Sequence, residues 1–270
     1  MSGYNVFSID AEEWFQVCYG SDGNPIANWV KHDSLIEPMI QESLLLLSNT
    51  NTKATFFIVG WWAERYPDLV KLIDQAGHEV ASHGYSHKPA SEQSLDEFKK
   101  DIVRAKKVIE RAIDKEVVGY RAPAFSISSQ DKDKLAAIVS AGYLYDSSVL
   151  SSKHTIYEVQ NGLVEITPNS IDIGRRSLPS GGGFFFRALP YFVFKNYLNQ
   201  FLLKRQSLVF YTHTWEITSD YPRLNMSFRE AFIQYFNLSR VPMKLTKLLN
   251  EYKFQTAKEV YYTYLANRRL

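Results

Sequence analysis

An α/β fold built on a parallel sheet or barrel is what this 270-residue sequence predicts, on three observations. Short apolar, strand-like runs recur along the first half. Amphipathic helical patterns with recognisable start signals separate them. The residues able to do chemistry cluster where the strand-like runs end, the place where parallel α/β folds build their sites.

The strand-like runs are residues 4–9, which alternate, 54–59 (ATFFIV), and 78–82 after the helix-ending Gly77, with 117–120 and 207–212 as further members. Ser34-x-x-Glu37 and Ser94-x-x-Glu97 predict capping boxes, in which serine and glutamate satisfy the orphan donors of a helix start. After Ser94, the positions Phe98, Ile102, Ala105, Ile109 and Ala112 fall on one helical face. Ser128-x-x-Asp131 opens a further helix that stops at Gly142. Residues 151–187 carry few helix signals and read as loops and short strands. Their Gly181-Gly182-Gly183 run lacks the Lys-Ser/Thr of a phosphate loop and reads as a rim over the site. Two helical patterns follow, at 191–203 and 241–249, the second in a C-terminal extension that ends in 254–264. Residues 1–270 thus read as one domain, with 221–270 a C-terminal extension packed on it.

Composition narrows the function. With 31 Lys+Arg against 29 Asp+Glu the net charge is +2, which exerts no general pull on nucleic acid, and no basic run exceeds Arg268-Arg269. One cysteine, Cys18, excludes an intrachain disulfide framework and any multi-cysteine metal site. No apolar run is long enough to span a bilayer, and the first residues carry no signal-like pattern, so the expectation is a cytoplasmic protein. Its substrate could still be presented at the inner membrane face.

Asp10 and Glu12 stand two apart at the end of the first strand-like run, so both carboxylates face one side. Such a pair needs a bound cation, an arginine or a retained proton to offset its repulsion. His83 and His87, at i and i+4 after another strand-like run, have the spacing with which two imidazoles on one helical turn grip a metal. With Glu12 they would form a two-histidine, one-carboxylate set with open positions. Arg121 ends the next run and could pair with Asp10; His213 closes a later one and could act with Asp10 as a general acid. Of the aromatics near these positions, Trp14, Phe15, Trp61 and Trp62 read as core, and Trp215 is the best placed to stack on a sugar ring. His32, His78 and His154 read as structural.

Taken together, Asp10-x-Glu12, His83-x-x-x-His87, Arg121-x-Pro123, Asp146-Ser147-Ser148 and Tyr211-x-His213 resemble the polysaccharide deacetylase (NodB-homology, carbohydrate esterase 4) family. The closer likeness is to the subgroup found with bacterial exopolysaccharide and exosortase loci, through FSIDAEEWFQ, TFFIVGWWAERYP, GHEVASHGYSH, YRAPAFSI, YDSS, GGGFFFR and HTWE. The resemblance implies a distorted (β/α)7-type barrel with a C-terminal helical extension. It implies hydrolysis of N-acetyl groups on an amino-sugar glycan or a lipid-linked glycan precursor. It makes Asp10 the base, Arg121 its partner and His213 the acid that protonates the leaving amine. Glu12, His83 and His87 would bind a divalent metal, usually zinc, with cobalt, nickel or manganese as alternatives. The Ala124 N–H would be an oxyanion donor, Asp146 a groove-wall residue and Tyr211 part of the acetyl pocket, where many relatives have an apolar side chain. The family's usual first motif has adjacent aspartates, so the glutamate one residue later leaves Glu13 as a competing ligand. A hydrolase of a non-sugar amide and a non-catalytic carbohydrate-binding protein are the alternative functions.

Overall fold

The computed structural model describes residues 4–18, 26–152, 155–174, 176–205, 207–218 and 220–268; His154 lies outside them. The described residues form ten strands: β1 (Val6–Ala11), β2 (Thr55–Ile58), β3 (Glu79–Ser82), β4 (Gly119–Tyr120), β5 (Tyr145–Asp146), β6 (Ile156–Gln160), β7 (Leu163–Ile166), β8 (Ser170–Ile173), β9 (Arg176–Pro179) and β10 (Val209–His213). Eight form one sheet in the order β10-β1-β2-β3-β4-β5-β7-β6. The first seven in that order run parallel, and only β6 pairs antiparallel, at the edge. This curled half-barrel is the architecture expected of a (β/α)7-type barrel. β8 and β9 form a separate hairpin within the stretch that reads as loops and short strands.

The alternation seen at residues 4–9 does not become a one-sided strand, because all six residues of β1 are buried. A parallel sheet covered by helices hides both faces, so strand polarity no longer marks solvent. Phe98, Ile102, Ala105, Ile109 and Ala112 are all buried on the helix Leu95–Ile113, which starts with the expected Ser94–Glu97 capping box. The other predicted box does not form. The helix Ile36–Asn49 has no side-chain cap, and the Ser34 hydroxyl donates to Glu13 instead. Glu13 is fully buried, and a buried carboxylate needs those donors more than an exposed helix start does. The third start signal is also displaced. Asp131 accepts the Ser128 N–H (2.7 Å) in a turn that precedes the helix Lys132–Ser140.

The glycine run is a close-packed contact with β10. Gly182 bridges to Tyr211, and a β-carbon at position 182 would lie 1.7 Å from the Tyr211 carbonyl oxygen. Because the obstacle is backbone, Gly182→Ala is expected to cost about 3 kcal/mol or more. A thermal melt should show a drop of roughly 6–12 °C, and an unchanged melting temperature would refute the packing argument.

The last helix docks at the N-terminal ends of the strands, the end away from the site. The helix Ala257–Arg268 starts against β2 and β3, with Ala257 N–H donating to Thr55 Oγ1 (2.7 Å) and Lys258 N–H to Glu79 Oε2 (2.8 Å). A buried carboxylate at a helix start is favoured by the unpaired N–H groups there. Among the described residues, no helix is long and apolar enough to cross a membrane.

Candidate active site

Strand register brings the sequence-predicted residues together. Asp10 of β1 is paired directly with His213 of β10. Glu12 follows β1, His83 follows β3, and Arg121 follows β4, so all lie at one end of the sheet. They surround a cavity of about 280 Å³ whose walls include Asp10, Glu12, His83, His87, Tyr211 and His213.

Glu12 Oε1 lies 2.9 Å from His87 Nε2 and 3.2 Å from His83 Nε2. All three residues are buried, and their ligand atoms lie within 4.8 Å of one another. The far nitrogen of His83 sits 2.8 Å from the Arg121 carbonyl oxygen, a partner that only an N–H can satisfy. Neutral His83 therefore turns a lone pair toward Glu12, and two acceptors face each other across the gap. A cation removes that conflict, so this donor set fits a divalent metal. Burial disfavours the Glu12 charge, but attraction to His87 and His213 outweighs it, holding its pKa well below the usual range. Glu13 is not part of the set: its carboxylate takes the Ser34 hydroxyl and the Leu35 N–H (3.1 Å).

The two histidines do not share a helical turn, as their spacing predicts. Residues 83–87 form a loop with positive φ at Gly84 (73°) and His87 (51°). Asp101 holds it by accepting the Tyr85 and Ser86 N–H groups at 2.8 and 2.9 Å. The imidazoles still converge, with ring centres 5.1 Å apart, because loop curvature replaces helix pitch.

Arg121 is fully buried and donates to Asp10 Oδ1 (2.7 Å), Ser8 Oγ (2.9 Å) and Ser147 Oγ (3.0 Å). Its guanidinium is thereby fixed, and it holds the Asp10 carboxylate in place at the cavity. Across from it, His213 Nδ1 lies 3.0 Å from Glu216 Oε2, and Glu216 Oε1 accepts from Arg187 Nε at 2.6 Å. Burial lowers the His213 pKa, but the charges of Glu12 and Glu216, the Glu216 hydrogen bond and Asp10 together raise it to about 9. Burial raises Glu216, yet Arg187 and His213 bring it down to about 2. His213 is therefore a cation at neutral pH, the form that can donate a proton.

Glu216 and Arg187 are the functional residues that sequence reasoning missed. A signal for Glu216 was present: it stands three after His213, the capping-box spacing, and it accepts the His213 N–H (3.0 Å) at the start of the helix Thr214–Ile217. Nothing local to Arg187 marks it, because its carboxylate partner is 29 residues away.

The remaining predicted residues divide. Ala124 lines the cavity in a left-handed conformation (φ 56°), and so does Phe125 (φ 50°), whose ring meets Tyr211 edge-on at 4.9 Å. Tyr211 itself lines the cavity as expected. Trp215 lines the cavity, but little of it is exposed. It is 4% exposed, stacked on His213 (4.7 Å), and donates its Nε1–H to Glu12 Oε2 at 3.2 Å. Asp146 is not a groove wall. It is fully buried beside Glu165 on β7 and takes the Ser148 hydroxyl at 2.5 Å, and burial raises its pKa to about 6. Trp14, Phe15, Trp61 and Trp62 are core residues. His32 stacks on Phe15, and His78 accepts the Ala54 N–H, so both are structural.

Comparison with known proteins supports the same grouping. The family profile described as "Polysaccharide deacetylase" matches residues 28–145, and one described as "Domain of unknown function (DUF3473)" matches 141–262. The peptidoglycan-N-acetylglucosamine deacetylase of Bacillus cereus is 37% identical over 79 residues, 29% of this chain and 26% of that protein. The peptidoglycan deacetylase of Helicobacter pylori is 27% identical over 159 residues, 54% of this chain and 53% of that protein. The chain thus spans from a quarter to about half of the length of these relatives. In fold, it matches the crystal structure of a candidate polysaccharide deacetylase from Mycobacterium smegmatis, with a TM-score of 0.70 at 19% identity, covering 99% of this chain and 91% of that one.

Proposed function

We propose that the chain, which matches the polysaccharide deacetylase profile over residues 28–145, is a metal-dependent hydrolase removing N-acetyl groups from an amino-sugar glycan or a lipid-linked glycan precursor. The observation that carries the reading is one cavity lined by Glu12, His83, His87, Asp10 and His213, with Arg121 and Glu216 paired behind Asp10 and His213. The likeness of its motifs to the exopolysaccharide-associated subgroup favours an exopolysaccharide precursor as substrate, acted on at the inner face of the membrane.

Glu12, His83 and His87 would hold the metal, most readily zinc, which supplies Lewis-acid polarisation of the amide carbonyl. Asp10, held in place by Arg121, takes a proton from the attacking water. The Ala124 N–H donates to the developing oxyanion, and Tyr211 and Phe125 wall the acetyl methyl. His213, protonated and aligned by Glu216, gives its proton to the departing amine, without which the C–N bond re-forms rather than breaks.

The test is acetate release from N-acetylated glycans by chelated and zinc-restored protein. Chelation should abolish release, and stoichiometric zinc should restore it. Full activity in metal-free protein would overturn the metal assignment.

A further inference from the structure

Gln16 is fully buried, and it is one of the residues that line the same cavity as the triad. The Glu13 N–H donates to Gln16 Oε1 (2.9 Å), and the Gln16 N–H donates back to the Glu13 carbonyl (3.0 Å). That turn fixes which end of the amide is which, since only oxygen can accept from a backbone N–H. Gln16 Nε2 is left with no hydrogen-bond partner among the described residues. A buried amide donor without an acceptor is costly, and an apolar side chain would fill the position without that penalty. The donor also has a defined place. Val17 and Cys18 continue the same wall, and Cys18 Sγ lies 3.6 Å from His87 Nδ1, so the segment runs along the His87 side of the cavity.

We propose that Gln16 Nε2 is a substrate-binding donor that takes an uncharged oxygen, a hydroxyl or ring oxygen, of the sugar residue being deacetylated. The inference rests on the reading of this cavity as a glycan site. An amide carries no net charge and so matches a neutral acceptor, whereas carboxylates are typically met by arginine forks. The arginine of this wall, Arg187, is spent within the protein, donating to Glu216 and to the carbonyls of Ile233, Gln234 and Phe236.

Two variants separate this role from support of the turn. Gln16→Glu keeps the acceptor for the Glu13 N–H and removes the amide donor; Gln16→Met removes both. With zinc-loaded protein and the N-acetylglucosamine pentamer, both should raise KM about tenfold with kcat within a factor of about two. Calorimetric Kd for the pentamer, measured in an Asp10→Asn background, should rise in parallel, with zinc stoichiometry unchanged. A Gln16→Glu protein with wild-type KM and Kd overturns the proposal, also when Gln16→Met is impaired, since the residue would then serve only the turn. Pentamer binding weakened by Gln16→Glu, without acetate release by the wild type, sinks the deacetylase reading and leaves this one standing. Acetate release that Gln16→Glu does not alter does the reverse. A wild type that neither binds nor hydrolyses the pentamer overturns both.

Discussion

Asp10→Asn should slow acetate release by about 10²–10⁴-fold while zinc stays bound, because the base is lost and the three metal-binding side chains are untouched. The substitution suits the site. Arg121 is fully buried and donates to Asp10 at 2.7 Å, and an asparagine oxygen can still accept that bond. Asp10→Ala would strand the guanidinium, at a cost of about 3–5 kcal/mol, and would mix folding with catalysis. The measurements are kcat, zinc stoichiometry and melting temperature on one preparation. Turnover within a few-fold of wild type would remove Asp10 from the role of base. Loss of zinc together with activity would assign Asp10 to the metal instead.

His213→Ala should cost a similar factor, about 10²–10⁴, concentrated in kcat. The pH profile gives a sharper test of the same assignment. The acid is the protonated imidazole, and with its pKa raised to about 9 it is charged at neutral pH. Zinc held by Glu12 offsets one of the charges that raise His213, so the alkaline limb of the loaded enzyme should lie below about 9. Glu216→Gln removes one of the charges that raise His213, so the alkaline limb should move to lower pH with little change in zinc content. An alkaline limb that ignores Glu216→Gln would show that a different group donates the proton. The same pair contributes to stability with a definite sign. The His213 share is complete below its unfolded pKa of about 6.5 and is lost as pH rises through about 9. The Glu216 share is complete above about 4.5 and is lost as pH falls through about 2.

Local chemistry was legible in the sequence because it depends on neighbours along the chain. Strand and helix patterns placed the β1, β2, β3 and β10 runs, and the 98–112 face and the Ser94 cap appear as their spacing predicts. Asp10, Glu12, His83, His87, Tyr211 and His213 meet at one cavity with Arg121 behind Asp10, since most of them stand at or just past the ends of parallel strands and parallel strands end on one side. Where the reading failed, a partner distant in sequence had taken over. Ser34 has a glutamate at capping distance, yet a buried carboxylate 21 residues earlier claims its hydroxyl. His83 and His87 have helix spacing, yet Asp101 on a neighbouring helix folds the segment into a loop.

What the sequence by itself determined is which residue types stand at the strand ends, and with them the sheet's parallel order and the set able to hold a metal and move protons. Tertiary structure alone decided which of them meet. It chose Glu12 over Glu13, made Trp215 a donor to Glu12, withdrew Asp146 into the interior, and added Glu216 and Arg187 behind His213. The physical reason is common to all four. A buried charge or polar group must be paired wherever the fold brings a partner, and that partner is set by packing rather than by distance along the chain.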